Sequence, residues 1–133
     1  MIKIRAARRF FALHASFYLR VEKALAENHI VRPDLDQEAV LEWLLGSWAQ
    51  GQPVFVMQTV SALSGGSHPR VSRSPMAVYR LVHSLAAEGW LQLDEFRDEK
   101  RRKRLLPTIQ TERYFALLAD CMSEVVQADS GKK

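Results

Sequence analysis

A chain of 133 residues has room for one compact domain, and 47% hydrophobic with 26% charged residues is a globular balance rather than a disordered one. The formal net charge of +4, from 19 Lys+Arg against 15 Asp+Glu, admits a polyanionic partner without demanding one. A single cysteine, Cys121, excludes an internal disulfide framework and a cysteine-rich zinc site, and no apolar run reaches the ~18–20 residues of a membrane helix. The basic start also lacks the clean apolar stretch of a secretory signal, so a cytoplasmic protein with no membrane partner is expected.

From Ile4 to Asn28 one long helix is predicted. Ile4, Ala7, Phe10, Phe11, His14, Phe17, Tyr18, Val21 and Leu25 recur at three- and four-residue steps and form one face, while Arg5, Arg8, Arg9, Arg20, Glu22 and Lys23 flank it. Pro33-Asp34 breaks the chain. Asp34 or Asp36 then caps a second helix that runs through Trp43 and Trp48 until Gly51 and Pro53 stop it. A third helix is expected from Val54 to Leu63, with a strand as the alternative because of its β-branched content. Residues 64–73 read as a loop, long for a turn between paired helices.

Ser74-Pro75 starts the next helix. Serine accepts from a free first-turn amide, and proline at the first helical position lacks the amide that would be unpaired. Val78, Leu81, Leu85 and Ala86 supply its buried face, and Gly89 ends it. Two short strands follow, Trp90–Phe96 and Arg104–Leu106, around a charged turn. Thr108 caps a last helix carrying Tyr114, Phe115, Leu117, Leu118, Met122 and Val125. The expected division is one domain, 1–133, made of an N-terminal helix 4–30, a lobe 34–108, a C-terminal helix 109–127 and a frayed tail 128–133.

Three helices followed by a basic hairpin are the order of a winged helix-turn-helix. There the third helix of the trio enters the DNA major groove and the hairpin lies on the neighbouring backbone. The solvent side of the Ser74 helix offers Ser72, Arg73, Ser74, Met76, Ala77, Tyr79, Arg80 and His83. Arg80 suits a guanine edge or a phosphate, and a solvated helix face is the plain alternative. The hairpin is the sharper signal. Arg97, Lys100, Arg101, Arg102, Lys103 and Arg104 stand against Asp98 and Glu99, a local excess of four that equals the charge of the whole chain. A turn projecting that many cations neutralises phosphates and releases their counterions.

Residues 74–91, Ser-Pro-Met-Ala-Val-Tyr-Arg-Leu-Val-His-Ser-Leu-Ala-Ala-Glu-Gly-Trp-Leu, resemble the recognition helix and first wing strand of MarR-type regulators. Glu99-Lys100-Arg101, nine residues before Thr108, is similar to the acidic-x-Arg wing tip of that family. The match spans residues 54–118, and the flanking helices agree in kind. Ala77 where threonine is usual, Pro107 before Thr108 and the long 64–73 loop depart from the pattern. The resemblance implies a homodimer built on the first and last helices that binds double-stranded DNA with no cofactor. It places Met76, Ala77, Tyr79 and Arg80 in the major groove, Arg101 in the minor groove, and Arg102 and Lys103 near phosphates; Lys100, from the same charged turn, is a further DNA-contact candidate. It also implies a small-molecule effector pocket, for which Trp43, Trp48, Phe17 and Tyr18 are candidate linings and equally candidate core aromatics.

The residues make their own case for the dimer. Phe10, Phe11, His14, Phe17 and Tyr18, with Phe115, Leu118 and Met122, are more apolar surface than a small trihelical lobe needs, and a long helix at each end suits an isologous contact. One enlarged monomer core is the alternative. Four scattered histidines without metal-ligand spacing, and serines without a nucleophile elbow, leave no basis for an enzyme. Asp34, Asp36 and Glu38 are read as helix-start carboxylates. Cys121, between Asp120 and Glu124, is read as structural. The expected fold is therefore mainly α with a small β-hairpin wing, a winged helix-turn-helix between long dimerisation helices. The expected function is sequence-specific transcriptional regulation by occupancy. The rivals are a winged-helix protein-interaction module without DNA binding and a plasmid or phage replication-maintenance protein.

Overall fold

The computed structural model describes residues 4–66, 71, 73–95 and 102–131. The order is α1 (Ile4–Glu27), α2 (Leu35–Ala49), β1 (Val54–Phe55), α3 (Val56–Leu63), α4 (Pro75–Ala87), β2 (Leu91–Glu95), β3 (Lys103–Pro107) and α5 (Ile109–Ser130). The chain divides into two compact units, Met1–Arg32 with Glu112–Lys133, and Pro33–Thr111. No described helix is long and apolar enough to cross a membrane.

In the unit Pro33–Thr111 each helix boundary has a local cause. Asp34 accepts from the Gln37 N–H at 2.8 Å, and the Gln37 side chain accepts from the Asp34 N–H at 3.0 Å, a reciprocal cap that opens α2. Ser74 accepts from the Ala77 N–H at 3.2 Å, and Pro75 follows at the first position of α4. Gly89, at φ +86°, closes α4. Its N–H donates to Ala86 O and the Trp90 N–H to Leu85 O, the paired bonds of a left-handed helix terminus. Thr108 then donates to Gly89 O at 2.7 Å and accepts from the Thr111 N–H at 3.3 Å, which ties the start of α5 to the end of α4.

The segment expected as a helix from Val54 begins instead with two strand residues. Val54 pairs with Leu105 and Phe55 with Arg104, so the hairpin becomes a three-stranded antiparallel sheet in the order β1-β3-β2. Leu105 also faces Leu93 of β2, and the row Val54–Leu105–Leu93 lies on one side of the sheet. On the other side Phe55, Arg104 and Asp94 form the adjacent row, with Arg104 donating to Asp94 at 2.7 Å. Trp48 of α2 donates through Nε1 to Leu105 O at 3.1 Å, which makes it a structural strut. Val40, Leu41, Leu44, Leu63, Val71, Val78, Val82 and Leu85 are fully buried in the helical part of this core. Val82 thus takes the place expected for Leu81, which is only half-buried.

In the other unit, Arg9 pairs with Asp129 and Arg20 with Glu124, linking α1 to α5. Val21, Leu25, Tyr114, Cys121 and Val125 are its buried side chains. The apolar face expected along α1 splits: its C-terminal half is buried, whereas Phe10, Phe11, His14 and Tyr18 stand exposed. Phe10, His14 and Tyr18 stack in series at 6.1 and 6.4 Å between ring centres, and Arg32 caps the row 5.0 Å above the Tyr18 ring. α5 continues to Ser130, beyond the 109–127 expected for it, so residues 128–130 are helical rather than frayed. Burial pushes the Cys121 thiol above its usual pKa, with Glu124 and Asp120 adding to the shift and Arg20 opposing it.

Candidate nucleic-acid interface

α4 is held by its apolar side. Val78, Val82 and Leu85 are buried, and the helix packs on α2, α3 and β2. The opposite side turns Met76, Tyr79 and Arg80 to solvent, with Met76 59% and Tyr79 38% exposed. Ala77 is half-buried at the margin of that side, and the exposed Ser74 hydroxyl accepts the cap bond while keeping its own O–H. His83 is half-buried, its ring 4.3 Å from that of Tyr79, and its Nε2 is buried without a hydrogen-bond partner among the described residues. His83 therefore sits beneath Tyr79 more than beside it.

The wing cations approach the same helix. Arg102 lies 3.9 Å above the Phe55 ring, a cation–π contact that fixes the start of β3 over β1. Tyr79 and His83 of α4, Phe55, Met57 and Gln58 of β1 and α3, and Arg102 and Lys103 together line one cavity of about 640 Å³. None of Trp43, Trp48, Phe17 or Tyr18, the aromatics weighed for a pocket, lines it.

Neither a family model nor a curated protein sequence matches the chain. Solved structures do. A point variant of Staphylococcus aureus MepR bound to an oligodeoxyribonucleotide matches over 100% of this chain and 86% of its own, at 14% identity and a TM-score of 0.64. A transcriptional regulator of Thermotoga maritima matches over 98% and 83%, at 18% identity and a TM-score of 0.57. Staphylococcus aureus MarR in complex with salicylate and kanamycin matches over 98% and 79%, at 16% identity and a TM-score of 0.50. The chain has the MarR-type winged-helix fold.

Within that MarR-type fold α3 and α4 are the helix-turn-helix pair, and β2 and β3 are the wing strands. Of the residues expected at a DNA surface, Met76, Tyr79, Arg80, Arg102 and Lys103 are exposed on this lobe. Arg73 is exposed but engaged: its Nη2 lies 2.5 Å from Asp36 Oδ2 of α2. Ser72, Lys100 and Arg101 lie outside the described residues. The sequence reading missed two participants, Asp36 as the partner of Arg73 and Phe55 as the platform under Arg102. Both pairings are made by folding, although the Asp34/Asp36/Glu38 cluster was visible. Asp34 proves to be the cap, and Glu38 is buried.

On the expected dimer surface, Phe10 (62%), Phe11 (66%) and Met122 (48%) are well exposed, with His14 and Tyr18 also open. Phe17, Phe115 and Leu118 are half-buried within the single chain.

Proposed function

We propose that this chain is a homodimeric transcriptional regulator that binds double-stranded DNA sequence-specifically, without a cofactor and without catalysis. The observation that carries the reading is that Tyr79 and His83 of α4 line one cavity with Arg102 and Lys103. The reading helix and the wing cations thereby address one ligand from the same side. Arg102 and Lys103, with Lys100 and Arg101 of the same turn in the sequence, supply phosphate neutralisation; Arg80, Tyr79 and Met76 supply base contact. That a structure of the same fold holds an oligodeoxyribonucleotide supports the partner, and a MarR structure carrying salicylate supports a small-molecule effector.

The exposed aromatics of α1 favour a second copy as the other partner. Phe10 and Phe11 at nearly two-thirds exposure form a patch that a monomer gains nothing by leaving wet. Pairing through a two-fold axis would cover each patch with the other.

The test is fluorescence anisotropy on random duplex DNA across roughly 50–200 mM salt. Several displaced counterions per dimer give a steep log–log loss of affinity. The double variant Arg102→Ala/Lys103→Ala should flatten that slope by ~0.9 for each phosphate contact removed. No binding at low salt overturns the reading in favour of a protein-interaction module. Sedimentation tests the assembly: the wild type should run as a dimer and Phe10→Lys/Phe11→Lys as a monomer, and a wild-type monomer at micromolar concentration overturns the dimer.

A further inference from the structure

Met76 occupies the first turn of α4 with 59% of its surface in solvent, and Tyr79, one turn on, is 38% exposed. Met57 of α3, 64% exposed, lines the same cavity as Tyr79. Single exposed apolar side chains are ordinary. Three of them on the two helices that a winged helix turns toward DNA form a pattern. The hydrogen-bonding groups that α4 turns to solvent are meanwhile few: the Tyr79 hydroxyl, the Arg80 guanidinium and the Ser74 O–H. Ser74 accepts from the Ala77 N–H, Ser84 donates to Leu81 O at 2.9 Å, and His83 lies against Tyr79. Arg80 is the single lysine or arginine of the helix, four residues beyond Met76 and on the same stripe.

A surface of this kind matches only part of the major-groove code. Guanine, cytosine and adenine present hydrogen-bond donors and acceptors there, which a thioether cannot satisfy and would desolvate. Thymine alone adds to its O4 acceptor an apolar C5-methyl group, which a thioether can cover without desolvating a polar atom. Arg80 supplies the charge complementarity that holds this part of the helix against a polyanion.

We infer that Met76 is a specificity-determining residue that reads thymine C5-methyl groups, so that each half-site carries a required thymine under the first turn of α4. This rests on the DNA-binding reading above and goes beyond it in naming the base and the atom recognised.

The experiment selects duplexes from a random pool with the wild-type protein. Each thymine of the selected site is then replaced in turn by deoxyuridine, which removes only the methyl group, and affinity is measured by anisotropy. One symmetry-related thymine per half-site should lose affinity by about fourfold per methyl, the factor carried by burying one methylene's worth of apolar surface. Met76→Ala should abolish that deoxyuridine penalty at that position alone, and Met76→Leu should retain it. Met76 is exposed, so neither variant threatens the core. A selected duplex that binds tightly with no thymine penalty, or with a penalty that survives Met76→Ala, overturns the inference and leaves DNA binding standing. Failure to bind any duplex even at low salt overturns DNA binding itself, and the inference with it.

Discussion

Replacing Asp36 by asparagine isolates the electrostatics of the α4 entrance. Arg73 precedes the Ser74 cap, and its ion pair with Asp36 ties it to the first turn of α2. The two side chains are 54% and 32% exposed, so solvent screens the pair and its share of stability is about 1 kcal/mol or less. Asp36 also lies at the positive end of α2, which contributes ~0.3–1 kcal/mol, but the cap is Asp34 and stays intact. On the DNA-binding reading proposed above, the larger consequence falls on DNA. Asp36→Asn adds one net positive charge per chain and releases a guanidinium beside α4. If that guanidinium neutralises one phosphate per protomer, the slope of log affinity against log salt steepens by ~0.9 per contact, or about 1.8 for a dimer. Over the fourfold change from ~50 to ~200 mM salt, the variant should then lose about 12-fold more affinity than the wild type. The assay is anisotropy on one random duplex at four salt concentrations. Asp129→Asn on α5, whose carboxylate is likewise paired with an arginine, serves as the control for net charge. A variant line parallel to that of the wild type or the control would refute the reasoning, because Arg73 would then touch no phosphate.

Three further outcomes follow from local geometry. His29 sits at φ 55° in the position closing α1, where the Ile30 N–H reaches Leu25 O; His29→Gly should raise stability by roughly 0.5–1 kcal/mol in urea unfolding, against the usual loss when glycine is introduced. Thr108→Val removes both the bond to Gly89 O and the acceptor for the Thr111 N–H and should cost about 1–2 kcal/mol, whereas Thr108→Ser should recover most of it. The folded-state pKa of Cys121 is raised, so the fold favours the neutral thiol; stability present below the ordinary thiol pKa of ~8.5 should decline as pH rises through the alkaline range, and Cys121→Ala should remove that decline. Iodoacetamide should accordingly label the folded protein slowly near neutral pH and the urea-unfolded chain quickly.

The sequence determined those features whose causes lie within a few residues. The start of α2 at Asp34, of α4 at Ser74-Pro75 and of α5 at Thr108, and the stop at Gly89, each depend on a side chain or a φ angle acting on its nearest amides. The order of these elements, with the basic run after the second-last helix, was enough to read a winged helix. Tertiary structure decided what depends on partners distant in the chain. Val54-Phe55 is a strand because its hydrogen-bond partners, Leu105 and Arg104, arrive some fifty residues later, and a two-residue strand has no periodicity to display. Leu81 and Val82 are both apolar and adjacent, so only the packing of α4 on its neighbours selects Val82 for the core. Arg73 reads as a free cation until folding brings Asp36 to it, and the aromatic stripe of α1 reads as one buried face until the tertiary structure buries Val21 and Leu25, half-covers Phe17 and leaves Phe10 and Phe11 in water. Local chemistry is written in consecutive residues, whereas burial and pairing are properties of what the rest of the chain places alongside.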